Sequence, residues 1–160
     1  MSATHLLTYA NKLGKQLPSL FVVGLDPGNT TGYSYWHGSA LLESGELRLH
    51  KTANIVDLLY SFPSIDQFVV EEYRIYPNRA KQHIGHDLFT PRIIGAVEAF
   101  AHIKNVPVHF QPASLGKSHF TDTRLKHLGL FRKGHRHAND AIRHVAHWLI
   151  FTAAVEALSD

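Results

Sequence analysis

The fold is decided by the stretch Phe21-Val22-Val23-Gly24-Leu25-Asp26-Pro27-Gly28-Asn29-Thr30-Thr31-Gly32. Its apolar residues predict a buried strand, and the Pro-Gly pair followed by Gly32 predicts that the chain turns directly afterwards. Asp26 is thereby held at the end of a core strand, where its charge requires a cation or several hydrogen-bond donors. Asp26 is therefore a candidate metal ligand; the alternative is an aspartate that caps its own turn.

The composition is that of one folded domain with a basic surface. The chain has 160 residues, of which 44% are hydrophobic and none is cysteine, which excludes disulfides and thiolate-bound zinc. Its 13 histidines accompany 16 lysines and arginines at a formal net charge of +3, which favours an anionic partner such as nucleic acid. The N-terminal segment lacks the continuous apolar core of a signal peptide, and no apolar run is long enough to span a bilayer. We therefore expect a cytoplasmic protein.

Apolar periodicity predicts a mixed α/β architecture. Strands are expected over residues 20–26, 32–36, 40–49, 68–71 and 106–110, the second and third being joined by a hairpin turn. Helices are expected over residues 4–15, 54–62, 90–104 and 139–158, with Asn54 as the cap of the second. Three antiparallel strands followed by strand–helix–strand units predict a mixed five-stranded sheet flanked by helices. Residues 1–19 are expected to form an N-terminal helical extension and residues 20–160 a single domain.

Acidic residues recur at the ends of the predicted strands. Glu71 ends the fourth strand, and Asp140 follows His137 by three residues, so that both lie on one face of a helical turn. If the strands that carry Asp26 and Glu71 are neighbours, the two acids meet at one edge of the sheet, where the last helix would add Asp140 and His137. Three carboxylates with at most one imidazole suit Mg²⁺ or Mn²⁺ better than zinc. A pair of such ions would neutralise the acids and activate water for in-line attack on a phosphodiester, which is nuclease chemistry.

Nearby acids and histidines offer alternatives to these four candidates. Glu71 is preferred over Glu72 as the metal ligand because it directly follows Val69-Val70. For His137, the alternative is a histidine at a helix start that only forms a hydrogen bond with a neighbour. The other histidines of the final helix, His144 and His147, are predicted to be structural or to lie at the surface.

These motifs resemble those of a known family. Gly24-Leu25-Asp26-Pro27-Gly28, Val69-Val70-Glu71 and His137-Ala138-Asn139-Asp140-Ala141 resemble the motifs of RuvC-type Holliday junction resolvases, members of the RNase H-like nuclease superfamily. The chain is most similar to the compact phage-encoded branch. The resemblance implies an RNase H-like fold, a homodimer, and Mg²⁺-dependent paired nicking of four-way DNA junctions that leaves 5′-phosphate and 3′-hydroxyl ends. It further implies a bacterial cytoplasmic or phage-encoded enzyme with two ions per site, Mn²⁺ as a substitute, and a metal-binding catalytic set of Asp26, Glu71, His137 and Asp140.

Two stretches carry basic residues that we expect to bind DNA. The first interleaves them with aromatic residues, which suits a backbone track with stacking surfaces for unpaired bases: Tyr73, Arg74, Tyr76, Arg79 and Lys81. In the resembling family this region holds an aromatic residue that wedges into the junction, and Tyr73 is the nearest match. The second stretch precedes the final helix and contributes Lys117, Arg132, Lys133 and Arg136. Lys117 resembles a phosphate-contacting lysine of the family. The alternatives are tyrosines that pack the loop against the sheet and basic residues that are only solvated surface charges.

Other functional classes share parts of this pattern. An Asp-x-Gly-x-Thr-x-Gly loop also opens the phosphate-binding element of actin-like ATPases and sugar kinases, but those proteins require two related domains around a nucleotide cleft. A junction-binding module without catalysis is a second alternative. A related nuclease that cuts flaps, forks or RNA–DNA hybrids with the same site is the third.

Overall fold

The computed structural model describes residues 5–74 and 89–157, which form a five-stranded sheet with helices on its faces. The strands are β1 Lys15–Gln16, β2 Phe21–Asp26, β3 Thr30–His37, β4 Ala40–Arg48, β5 Gln67–Glu71, β6 Val108–Gln111 and β7 Val155–Glu156. The helices are α1 His5–Lys12, α2 Ala53–Ser61, α3 Phe89–Lys104, α4 Ala113–His119, α5 Asp122–His127 and α6 Arg136–Trp148. A π-helical segment, Leu149–Ala153, continues α6. Among the described residues, no helix has both the length and the apolar content to cross a bilayer.

The sheet has the predicted mixed topology. Its strand order is β4-β3-β2-β5-β6, with β2, β3 and β4 antiparallel and with β2, β5 and β6 parallel. The two strands that end on acids, β2 and β5, are therefore direct neighbours. A separate two-stranded ladder pairs β1 with β7 and joins residues near the two ends of the described chain.

Alternating side chains of the central strands divide the core between the two faces of the sheet. Val22 and Val69 pack with Ile142 and Val145 of α6 in one cluster, which also contains Leu6 of α1. The next residues along these strands, Val23 and Val70, point to the opposite face. There they pack with Ile55 and Leu59 of α2 and with Ile93 and Val97 of α3. This period of two is what a strand buried on both faces requires.

Two glycines allow α6 to lie directly on the sheet. A Cβ at Gly24 would come within 2.6 Å of Ala141 O, and a Cβ at Gly32 would come within 2.0 Å of His137 O. Neither distance is sterically possible without moving the helix backbone. Gly32 was expected to end the turn after Asp26 and to begin the second strand; β3 begins two residues earlier, and Gly32 lies within it, opposite Asp26 in the register. Its role is close helix–strand approach rather than chain reversal.

Several element boundaries differ from the predictions for local reasons. Asn54 does not cap α2, because the helix begins at Ala53 and the Asn54 Oδ1 accepts a hydrogen bond from Lys51 N at 3.0 Å. The final helix does not continue to residue 158, since α6 and its π-helical continuation end at Ala153 and β7 follows. Helices α4 and α5 were missed because each has fewer than eight residues, too few to reveal a period.

Candidate metal centre

The two strand-end acids leave the sheet at the same edge. β2 and β5 are parallel with Leu25 opposite Val70, so Asp26 and Glu71 are the next residues on adjacent strands. Helix α6 packs across β2, β3 and β5 and brings Asp140 to this edge. One carboxylate oxygen from each of Asp26, Glu71 and Asp140 lies within 4.8 Å of the other two. The sequence predicted these three acids together, and we refer to them as the acid cluster.

The surroundings of Asp26 perturb its carboxyl group. Only 8% of the residue is exposed, and its burial raises the pKa of the carboxyl group to about 6. The negative charge of Glu71 also contributes to this raised pKa, whereas the hydrogen bond with His137 opposes it. Burial and the neighbouring charge of Glu71 therefore outweigh the stabilising contact of Asp26 with His137.

His137 contacts the cluster through Asp26. Its Nδ1 lies 2.7 Å from Asp26 Oδ2, and it is not one of the three residues whose ligand atoms lie mutually close. Two backbone contacts set the position of its ring. His137 N donates to Glu46 Oε1 at 2.7 Å. Gly32, which pairs with both Asp26 and Glu46 in the sheet, has no side chain and lets the start of α6 lie close to β3. Sequence reasoning missed Glu46, which has no local signal because it acts across the sheet.

Both carboxylate oxygens of Asp140 have basic partners. Arg143 Nη1 lies 2.6 Å from Oδ1, and Lys117 Nζ lies 3.1 Å from Oδ2. Arg143 is itself held, since its Nε donates to Phe120 O at 2.7 Å and its Nη2 pairs with Asp122. Asp140 is thus fixed from α4 and from its own helix. The pairing places Lys117, predicted to contact DNA, beside the acid cluster.

Glu71 is contacted by a histidine that was expected to be structural or superficial. His144 is buried, with its Nε2 2.9 Å from Glu71 Oε2 and its Nδ1 2.9 Å from Gln111 Oε1. Gln111 ends β6 and lies opposite Glu71 in the parallel register. The burial of His144 excludes a surface position, and the contact with Glu71 was not predicted. Its spacing of four residues from Asp140, which places both on one helix face, was the available signal. His147, which packs against His119 and Phe151, is structural as expected.

The acid cluster has the chemistry of a site for divalent cations. Its donors are carboxylate oxygens, which suit Mg²⁺ and Mn²⁺, and they are brought together despite a repulsion that raises the pKa of Asp26. A divalent cation would remove that repulsion. Glu72 lies outside the cluster and pairs with Arg74 at 2.7 Å, so the choice of Glu71 over its neighbour agrees with the geometry.

The predicted DNA-binding residues fall into three groups. Tyr73 is half-buried and lines a cleft of about 270 Å³ beside Glu71, together with Arg74, Thr90 and Pro112. The residues near α6 surround its N-terminus: Lys133 and Arg136 are exposed, and Arg132 is half-buried with its Nε 3.1 Å from Ser44 Oγ. Tyr76, Arg79 and Lys81 lie outside the described residues.

The motif residue Asn139 fixes the basic loop before α6. Its Oδ1 accepts from Arg132 N at 2.8 Å, and its Nδ2 donates to Arg132 O at 2.8 Å. The loop that carries Arg132 and Lys133 is therefore held against the helix that carries Asp140.

Comparison with known proteins identifies the architecture. No family model matches the sequence, and no curated protein matches it either. Thermus thermophilus RuvC in complex with a Holliday junction substrate superposes with a TM-score of 0.61, covering 84% of this chain and 98% of that one at 19% identity. The chain has the RuvC fold. A second Thermus thermophilus RuvC structure gives a TM-score of 0.58 at the same identity and coverage. The RuvC fold agrees with the fold predicted from the three motifs.

Proposed function

We propose that this protein is a metal-dependent, structure-selective DNA endonuclease that resolves four-way junctions by paired nicks. The observation that carries the proposal is the acid cluster, formed by Asp26, Glu71 and Asp140 at the edge of a sheet with the RuvC fold. Two of these acids are buried and Glu71 is half-buried, and bringing their charges together opposes folding unless a cation or another positive group lies beside them. A similar RuvC structure holds a Holliday junction substrate, which supports branched DNA as the substrate class here.

Within this proposal the three acids would hold the cations. Divalent ions at this site would lower the pKa of water, neutralise the charge that develops on the phosphodiester, and orient the scissile phosphate. Mg²⁺ is the ion that we propose, in a pair, with Mn²⁺ able to replace it. Lys117 and Arg143 would keep Asp140 in place while the ions exchange.

His137 has the geometry of a residue that binds an ion or accepts a proton. With Nδ1–H donated to Asp26, the neutral ring carries its free lone pair on Nε2, and 41% of the side chain is exposed. Asp26 thus sets the tautomer of His137, in addition to its own part in holding cations. The exposed Nε2 is the nitrogen that would accept a proton from attacking water or contact an ion.

The basic residues around the cluster would follow the DNA backbone. Arg132, Lys133 and Arg136 lie on the α6 side of the acids, and Tyr73 and Arg74 lie on the Glu71 side. A substrate phosphate at the cluster would therefore have exposed positive charge on the α6 flank, and on the other flank a tyrosine beside the Arg74–Glu72 ion pair. We propose that Tyr73 stacks on an unpaired base at the junction centre. Cleavage of both strands across one junction requires two active sites, which further implies a homodimer. We propose that the protein acts in the cytoplasm.

Cleavage of synthetic DNA structures tests this proposal. A labelled four-way junction is incubated with the protein beside a matched flap, a replication fork, a duplex and an RNA–DNA hybrid, with Mg²⁺, with Mn²⁺ or with EDTA. We expect symmetric nicks near the crossover only with a divalent ion, and 5′-phosphate ends that ligase can reseal. Preferential cutting of flaps, forks or hybrids would transfer the function to those substrates. Binding without cleavage under either ion would show a junction-binding module and overturn the catalytic assignments.

A further inference from the structure

We propose that His144 is a positioning residue: its imidazole, fixed by Gln111, donates a hydrogen bond to Glu71 and directs the carboxylate of Glu71 toward the acid cluster. The three residues come from different elements, α6, β6 and β5, and meet in a chain of two contacts of 2.9 Å each. His144 and Gln111 are each 1% exposed, so water does not compete for the contact between them, while the Glu71 side chain is 20% exposed. This inference rests on the proposed metal site.

The direction of the hydrogen bonds follows from the groups involved. An ionised Glu71 carboxylate only accepts, so the contact at His144 Nε2 places a proton on that nitrogen. A neutral imidazole then has a bare Nδ1, which needs a donor. Gln111 provides one: its Nε2 is buried and has no hydrogen-bond partner within residues 5–74 and 89–157. A half-turn of the amide brings this orphaned N–H group to His144 Nδ1 and completes both hydrogen bonds.

The consequence for Glu71 is a fixed orientation. Hydrogen bonding from His144 occupies Oε2, so the carboxylate cannot rotate freely about its last bond. Carboxylates that ligate metals are commonly held in this way, and loss of the outer partner typically lowers metal affinity or activity by about 10–100-fold. Asp140 is fixed by Arg143 and Lys117, and Asp26 by His137, so every acid of the cluster has an orienting partner.

Two substitutions at one position separate orientation from packing. His144→Gln retains an N–H donor at the distance of Nε2, whereas His144→Leu retains volume without a donor. His147→Leu is the matched control, because His147 lies on the same helix and contacts His119 and Phe151 rather than an acid. Folding of each variant is checked by thermal unfolding, and Mn²⁺ affinity is measured by electron paramagnetic resonance with the metal as the only ligand.

We expect His144→Leu to weaken Mn²⁺ binding by about 10-fold, and His144→Gln and His147→Leu to leave it within about threefold. Long-range ¹H–¹⁵N NMR spectra of the wild-type protein in EDTA should show a proton on His144 Nε2. Wild-type affinity in His144→Leu would overturn the inference, as would equal weakening in the Leu and Gln variants or a bare Nε2. Absence of Mn²⁺ binding in the wild type would instead overturn the proposed metal site, and the positioning role with it.

Discussion

His137 Nδ1 lies 2.7 Å from Asp26 Oδ2 and joins the end of β2 to the first turn of α6. This contact links two parts of the chain that are 111 residues apart. It stabilises a carboxylate whose pKa is raised by burial and by the charge of Glu71. The acids of the site and the docking of the final helix are therefore parts of one structural unit.

Replacement of Asp26 by asparagine should separate catalysis from binding. The amide would keep the size of the side chain but remove its charge, so we expect the Asp26→Asn variant to lose cation binding at the cluster. Cleavage should fall by more than about 100-fold, beyond the 10–100-fold range of outer partners. Gel-shift affinity for a four-way junction in EDTA should stay unchanged. Joint loss of binding and folding would instead make Asp26 a structural turn residue.

The stability of the metal-free protein should decrease as Asp26 ionises. Its pKa is raised from 3.8 to about 6 in the folded state, so the folded protein binds this proton more tightly than the unfolded chain does. The stabilisation that comes from this bound proton is fully present below about pH 4 and is lost as the pH rises through about 6. In EDTA, Asp26→Asn should therefore exceed the wild type in unfolding free energy by on the order of 3 kcal/mol at pH 8.

Urea unfolding of both proteins at several pH values measures this difference. The gap between them should open from about pH 4 to above pH 6 and should narrow when Mg²⁺ is added. Parallel curves across that range would show that burial and the charge of Glu71 do not raise the pKa of Asp26 in the folded protein.

A methyl group at Gly32 should displace α6. Its Cβ would lie 2.0 Å from His137 O, and this neighbour is backbone, which cannot move alone. We expect Gly32→Ala to destabilise the fold by about 3 kcal/mol or more, at or above the upper end of overpacking costs, and to weaken Mn²⁺ binding by moving Asp140. Gly95 of α3 provides the control, because a Cβ there meets nothing within 4 Å. Gly95→Ala should stabilise the helix by roughly 0.5–1 kcal/mol, and equal effects of the two substitutions would contradict the close approach.

Removal of Arg143 should leave a buried charge without its main partner. Asp140 is 3% exposed, and Arg143→Met would leave it only the contact with Lys117. We expect a loss of about 3 kcal/mol, the lower end for a broken buried ion pair, measured by chemical unfolding in EDTA. In an Asp140→Asn background the same substitution should cost much less. Arg136→Met, at an exposed position of the same helix, should change stability by less than about 0.5 kcal/mol. Additive effects of the Asp140 and Arg143 substitutions would refute the coupling.

The strand-end acids could be predicted because their signals are local. An apolar run that stops at Asp26 or Glu71 shows both the strand and the position of the acid, and the three-residue spacing of His137 and Asp140 fixes their common face. The meeting of these acids then follows from one assumption, that β2 and β5 are neighbours, which the register confirms.

The partners of these acids could not be predicted in the same way. Glu46 contacts His137 because of the register of β4, and Gln111 contacts His144 because of the register of β6. His144 contacts Glu71 because of the rotation of α6 on the sheet. These relationships depend on how the elements pack, and within one segment only the four-residue spacing of Asp140 and His144 points to any of them. Gly32 shows the same limit: a glycine after a strand predicts a turn, whereas its contact with α6 involves residues more than a hundred positions away.

The packing of α6 across β2, β3 and β5 also has a consequence for protein synthesis. A nascent chain on the ribosome contains Asp26 and Glu71 long before Asp140 has been translated. Such a chain also lacks Ile142 and Val145, which α6 supplies to the core, so its sheet has no stable cover on that face. A premature stop codon before residue 140 would therefore yield a fragment that lacks part of this core and cannot assemble the three acids. If the protein cuts DNA as proposed, incomplete copies of it are harmless to the genome of the cell that makes them.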